Sequence, residues 1–269
     1  MRYGYCTGMA SRGDNTGIGM GTLLALLAAG YDYVELPLAQ MMALDDAAFR
    51  SSVLGPLQAS GLPCGACNNF LPATLRLTGP EADLPAAREY TRRALDRAAL
   101  LGAEKVVFGS SGARNLPIGW GRQQGWEQLV AAARMAGEEA TARGILIVLE
   151  PLNRIESNIL NTLTETLMLM READHPLVRC LADSFHFSVG NEDPAALAAE
   201  VAELGHIHIA RTLGRVMPDS DDPGLEAFLK ALVEAGYRGT ISIEAGCNGD
   251  FQAETKRALR WVKGFVSGV

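Results

Sequence analysis

Residues 145–156 read ILIVLEPLNRIE. Five consecutive apolar residues, Ile145 to Leu149, describe a strand buried on both faces, as in a parallel sheet covered by helices. The run stops on Glu150, and Pro151 ends the strand. A carboxylate where a buried strand stops is costly unless a partner compensates it. Three later apolar segments stop in the same way: CLADSFH carries Asp183 and His186, HIHIA carries His208, and TISIEAG carries Glu244.

Outward from this fifth strand the chain alternates strands with helices. Upstream, strands are expected over 2–6, 32–38, 62–70 and 105–109, with helices over 17–29, 45–60, 84–101 and 125–143. In the third helix, Ala87, Tyr90, Ala94, Leu95, Ala98 and Leu101 recur at helical spacing. Downstream, helices are expected over 162–173, 193–204, 224–235 and 253–265, around strands at 179–183, 206–210 and 240–244. Asp193-Pro194 is a helix cap followed by proline in the first turn. Gly30, Gly61, Gly102, Gly144 and Gly236 follow helices, where a left-handed residue closes the last turn. Eight strand–helix units of about 30 residues each, with no linker between them, predict a single (β/α)8 TIM barrel domain over 1–269. A doubly wound open sheet is disfavoured because no GxGxxG follows the first strand.

Composition narrows the function. The 269 residues are 48% hydrophobic, enough for a large core, and the net charge of −7 comes without any Lys/Arg cluster. This speaks against nucleic acid or an anionic membrane as partner. The opening MRYGYCTGMASRGDN has no apolar core of signal-peptide length, and no apolar run is long enough to span a bilayer. Five cysteines, an odd count, read as reduced thiols, so the expected location is the cytoplasm.

In such a barrel, strands five to eight are neighbours. Glu150, Asp183, His208 and Glu244 would then project from adjacent strand ends into one pocket. Three carboxylates crowded together repel unless some protonate or a cation joins them. Each acid taken alone is read more simply as a cap or a surface ion pair. Four consecutive strands ending in ligand-type residues favour one shared divalent ion. Three oxygen donors and one imidazole suit Mn2+, Mg2+ or Co2+ before a thiolate-type zinc site.

Five motifs carry a family resemblance: EPLNRIE (150–156), DSFH (183–186), GHIHIA running on to Arg215 and Pro218, SIEA (242–245) and FGSSGARNLP (108–117). With them the chain resembles the xylose-isomerase-like barrels, particularly the ketose 3-epimerase and hydroxypyruvate-isomerase branch. The resemblance implies a metal-dependent sugar epimerase or isomerase, most similar to a ketose 3-epimerase, with manganese the first choice of ion. It implies that Glu150, Asp183, His208 and Glu244 are the metal ligands. Glu150 and Glu244 look like an acid/base pair on opposite faces of the substrate. Glu156, His186 and Arg215 resemble residues that hold substrate oxygens. A small-molecule sugar partner and a homodimer or homotetramer follow from the same resemblance.

The same pocket chemistry admits an inosose-type dehydratase, a hydroxypyruvate or aldose–ketose isomerase, and a sugar-binding barrel without catalysis. The DNA-repair endonuclease branch needs a histidine-rich cluster, and this chain has four histidines, none before His175. Two departures from the family concern the substrate: Arg211 stands where relatives are usually acidic or polar, and RVMPDSDDPGLEAF lacks a PGxG loop. Arg114, Arg154, Arg211 and Arg215 are all expected on strand-end loops, which leaves an anionic sugar open. The alternative is that Arg154 and Arg211 only neutralise carboxylates.

The remaining candidates carry less. Cys64 and Cys67 in CGAC are expected to be buried thiols, with Cys67 near the pocket. His206 shares a face with His208 and is expected deeper in the barrel as a packed histidine; His175 is expected on a loop. Glu35 ends the apolar DYVEL and is expected to anchor a loop or touch substrate. Asn68, Asn69, Phe70 and Trp120 are candidate pocket walls, and Met168 and Met170 a helix packing face.

Overall fold

The computed structural model describes residues 1–9 and 19–269. Eight strands form a closed barrel in chain order, every pairing parallel: β1 (Arg2–Cys6), β2 (Tyr33–Pro37), β3 (Cys64–Asn68), β4 (Lys105–Phe108), β5 (Leu146–Leu149), β6 (Val178–Asp183), β7 (Leu204–Ile209) and β8 (Thr240–Ile243). Together with its ring of helices this is a (β/α)8 TIM barrel, as the alternation of the sequence predicts.

Strand parity decides where each side chain goes. In β5, Ile147 and Leu149 pack outward against the helices with the main core, while Leu146 and Val148 face inward onto Val107 and Leu181. Glu150 continues the inward parity just past the strand. The same alternation sends Ile207 and Ile209, and likewise Ile241 and Ile243, outward to the helices. It turns His206 and His208, and Thr240 and Ser242, toward the axis. On the inner side Tyr33 fills the space over β1 and β3: a Cβ at Gly4 or Gly65 would collide with its ring.

Most helices begin and end where the caps say. The helix Leu84–Leu101 is capped by Asp83, whose side chain accepts from Ala86 N–H at 2.9 Å, and it closes on Gly102 at φ 80°. The expected buried positions hold, except that Tyr90 is only half-buried and donates its hydroxyl to the Phe70 carbonyl. The helix expected over 17–29 is described as Met20–Ala29; residues 17 and 18 lie outside the described residues.

Other boundaries moved. The single helix expected over 45–60 is Asp46–Phe49 and Gly55–Ser60, joined by a π-helical turn Arg50–Leu54. Pro56 has no N–H for the Ser52 carbonyl, and the Gly55 N–H bonds five residues back to Arg50 instead. The helix expected over 193–204 is Pro194–Ala199 and a 3-10 turn Val201–Glu203, because Leu204 already pairs with Cys180 as the start of β7. No described helix is long and apolar enough to cross a membrane.

Candidate active site at the carboxyl ends of the strands

Register brings the site residues together. Asp183 ends β6 directly opposite His208 in β7, and His208 is opposite Ser242 in β8. Glu150 and Glu244 each follow a strand, their backbone N–H groups bonded to Phe108 and Ile209 carbonyls on the preceding strands. One ligand-type atom from each of Glu150, Asp183, His208 and Glu244 lies within 4.8 Å of the others. Two further groups are as compact: Glu35 with His206 and His208, and Cys6 with His208 and Glu244. His208 is common to all three.

The surroundings of each acid differ. Asp183 uses Oδ1 to cap the following helix, accepting from Phe185 N–H at 2.7 Å, which leaves Oδ2 facing Arg215 Nη2 at 3.0 Å. Glu244 Oε2 accepts from the same Nη2 at 2.6 Å and lies 3.1 Å from His208 Nδ1. Glu150 Oε1 lies 3.3 Å from that Nδ1. Gly109 lies against the Glu150 carboxylate, which any Cβ there would strike.

These contacts push the two glutamates apart. Burial raises the Glu150 carboxyl above its ordinary range, and the charge of Glu244 adds to the rise. Burial would raise Glu244 too, but Arg215 and His208 outweigh it and hold that carboxyl at about 2. Burial works against charge on His208 as well, yet the carboxylates of Glu35 and Glu244 carry it well above the usual imidazole range. Glu35 is held well below its ordinary value; burial opposes this, and His208 and His206 overcome it.

A cavity of about 150 Å3 opens beside the four residues, walled by Asn68, Asn69, Ser110, Ser111, Glu156 and His186 among others. A larger open groove, about 720 Å3, lies elsewhere, between the helices Pro194–Ala199 and Pro223–Glu234. Two charged walls, Lys230 and Glu234, pair with one another at 3.8 Å.

Asn153, to which the sequence reading gave no role, organises the wall. Its Oδ1 accepts from Ile155 and Glu156 N–H, an Asx turn, and its amide reaches Glu156 Oε1 at 3.0 Å and His186 Nδ1 at 2.8 Å. Its backbone N–H also donates to His186 Nδ1. A nitrogen that accepts from a backbone N–H carries no proton, so the neutral imidazole is protonated on Nε2. That Nε2 is buried and has no hydrogen-bond partner among the described residues. The side chain of Asn68 is likewise buried, 3% exposed, with both amide atoms unpartnered among the described residues.

Of the four arginines expected on strand-end loops, only Arg215 walls the cavity. Arg114 is fully buried and donates to the carbonyls of Phe108, Glu150 and Leu160, clamping the ends of β4 and β5 to the next loop. Arg154 contacts Asn161, and Arg211 pairs with Asp219 at 2.8 Å, so neither neutralises a site carboxylate. Glu35 is absent from the wall of that cavity: its carboxylate is buried in the barrel on His206 and His208. Phe70 packs on Phe108, Trp120 is absent from the cavity wall, and Cys67 faces the helix core. His206 is fully buried and hydrogen-bonded, His175 sits in the loop after Ala173, and Met168 is half exposed while Met170 is buried.

With the geometry in hand, comparison with known proteins places the chain. The family model described as xylose isomerase-like TIM barrel matches residues 23–265. The chain belongs to that family. Among its relatives, a ketose 3-epimerase from Arthrobacter globiformis is 29% identical over 222 residues, covering 81% of this chain and 74% of that protein. An L-ribulose 3-epimerase from Methylomonas sp. (strain DH-1) is 28% identical over 221 residues, with the same coverage of 81% and 74%. In fold, the chain superposes on a D-allulose 3-epimerase from Methylomonas sp., crystallised with D-allulose, at a TM-score of 0.83 and 24% identity, covering 98% of this chain and 96% of that one.

Proposed function

We propose that this chain epimerises a ketose at the carbon beside its carbonyl, using Glu150 and Glu244 as the proton-transfer pair and a divalent cation as Lewis acid. The broad class rests on its relatives: these are named epimerases and isomerases of carbohydrates, and the chain is an enzyme of that kind. The observation that carries the finer reading is the convergence of Glu150, Asp183, His208 and Glu244 within 4.8 Å beside a polar cavity.

The donor set fits a hard divalent ion. Three carboxylates meet one imidazole, and Glu150, raised first by burial and further by the charge of Glu244, would be relieved of that second contribution by a cation there. Manganese is the first choice, with magnesium and cobalt equally compatible with oxygen-rich coordination. When bound, such an ion supplies polarisation of the substrate carbonyl and so acidifies the neighbouring C–H.

The protein does the rest. One glutamate accepts the proton from that carbon and the other delivers one to the opposite face, which inverts the centre without a redox cofactor. His186 offers Nε2–H to a substrate oxygen, Arg215 and Glu156 hold neighbouring oxygens, and Asn68 supplies one donor and one acceptor to a hydroxyl. With neither atom paired among the described residues, burying Asn68 costs about 1–3 kcal/mol per polar group, a penalty that a polyhydroxylated ligand removes.

The test is incubation of the manganese-loaded protein with a panel of ketoses in D2O, read by NMR. Deuterium entering at one carbon with inversion supports the proposal. Carbonyl migration would make it an aldose–ketose isomerase, and loss of water a dehydratase. No exchange into any ketose would overturn it.

A further inference from the structure

Below the site, polar side chains occupy inward positions that barrels of this kind usually fill with Val, Ile and Leu. Glu35 is fully buried there. Its Oε1 lies 3.0 Å from His208 Nε2, and its Oε2 lies 3.0 Å from His206 Nε2 and accepts from Ser242 Oγ at 2.7 Å. At the amino end of the strands, Lys105 Nζ donates to Thr240 Oγ1 at 2.8 Å, and Thr240 Oγ1 lies 2.7 Å from His206 Nδ1.

The carboxylate end fixes the protons that face it. An ammonium only donates and a carboxylate only accepts. His206 Nδ1 lies 2.7 Å from Thr240 Oγ1, which accepts from Lys105, and 3.1 Å from the Thr240 carbonyl. His206 donates Nε2–H to Glu35, and His208 does the same on the other oxygen. The remaining nitrogen of His208, Nδ1, is the one turned to Glu150 Oε1 at 3.3 Å and Glu244 Oε2 at 3.1 Å.

We infer that Glu35 is a positioning residue that aims His208, holding Nε2 protonated so that only Nδ1 is offered to the strand-end carboxylates and to a cation among them. The inference rests on the four-residue site proposed above. It also separates the compact groups that share His208: Glu35, His206 and His208 meet through nitrogens that carry protons, so they form a hydrogen-bonded support and not a second cation site. A carboxylate behind a ligating imidazole fixes its tautomer and strengthens it as a ligand; losing such a partner commonly weakens metal binding about 10–100-fold.

The test is nitrogen-15 NMR of the histidine-labelled full chain, without metal and with Zn2+, a diamagnetic probe. Without metal, the expected result is Nε2–H on both His206 and His208. With Zn2+, His208 Nδ1 should shift to the ligated range while Nε2–H stays. Zn2+ bound through His208 Nε2, or an unprotonated Nε2 in the metal-free chain, would overturn the inference. If the His208 signals ignore Zn2+, the four-residue cation site fails instead, while the nitrogen that metal-free His208 keeps protonated once it is neutral, read at high pH, still judges Glu35. In Glu35→Gln the carboxamide can accept from only one imidazole and must donate to the other. His206 is expected to yield, moving its proton to Nδ1, because the Thr240 carbonyl lies 3.1 Å away to accept it. Co2+ affinity by competition titration should fall about 10–100-fold in Glu35→Ala and less in Glu35→Gln. A lowered Tm with unchanged Co2+ affinity and unchanged tautomers in both variants would reduce Glu35 to a structural role.

Discussion

Glu150 and Glu244 are the same residue type at equivalent strand ends, yet their neighbours set them apart. Arg215 donates to Glu244 and not to Glu150, so one carboxyl is held at about 2 while the other is raised. In the proposed reaction these two side chains are the proton-transfer pair. Glu150→Gln and Glu244→Gln should each cut deuterium exchange by roughly 100-fold or more with an unchanged circular dichroism spectrum; wild-type turnover in either variant would refute the assignment. Asn68 gives a prediction of a different kind. Asn68→Ala removes an amide that has no partner among the described residues, so Tm should hold or rise. KM should rise about 10-fold, the loss of roughly one to two hydrogen bonds, and a substrate lacking the recognised hydroxyl should not distinguish the variant from wild type. A KM unchanged across the panel would remove Asn68 from recognition.

At the scale of elements, the strand ends are held as carefully as the side chains on them. Arg114, in the short helix Ser111–Arg114, bridges carbonyls from β4, from Glu150 and from Leu160. Removing it takes one donor from each of three buried carbonyls, of which those of Phe108 and Leu160 keep a backbone N–H. Arg114→Ala should destabilise the protein by roughly 2–5 kcal/mol in urea titrations. Arg114→Lys should recover little, because an ammonium lacks the planar fork that spans several acceptors; full recovery by lysine would show that charge alone matters there. These elements also mark how far sequence reading reaches. The run Ile145 to Leu149 announces a strand, and its parity places Glu150 on the inner side, since alternation is a local property of extended backbone. The break at Pro56 is local too, but it becomes a π turn inside a continuing helix whose Phe49, Val53 and Leu54 are packed in the core.

For the whole molecule, burial governs the response to alkali. All six tyrosines, Tyr3, Tyr5, Tyr31, Tyr33, Tyr90 and Tyr237, have phenols raised above the ordinary value, first of all by burial. A group raised on folding stabilises the native state fully below its unfolded value, about 10 for tyrosine, and that contribution is lost as pH climbs past it toward the native value. Absorbance at 295 nm should therefore show almost no tyrosinate at pH 10 in the native protein. Ionisation should instead arrive in one step with unfolding, each deeply buried phenol costing up to about 1.4 kcal/mol per pH unit above 10. Gradual ionisation near pH 10 in folded protein would contradict this.

The chain's own pattern was enough for the eight-fold alternation, for most helix ends and for the four strand-end residues that meet at the top of the barrel, because strand burial, capping and parity are written within a few residues of one another. What surrounds those residues was decided in three dimensions. Arg114 left the pocket for three carbonyls, and Glu35 turned inward to two histidines more than 170 positions away in the chain. A long charged side chain goes to whichever acceptor lies within its reach after folding, and that choice depends on distances between strands that no local spacing records.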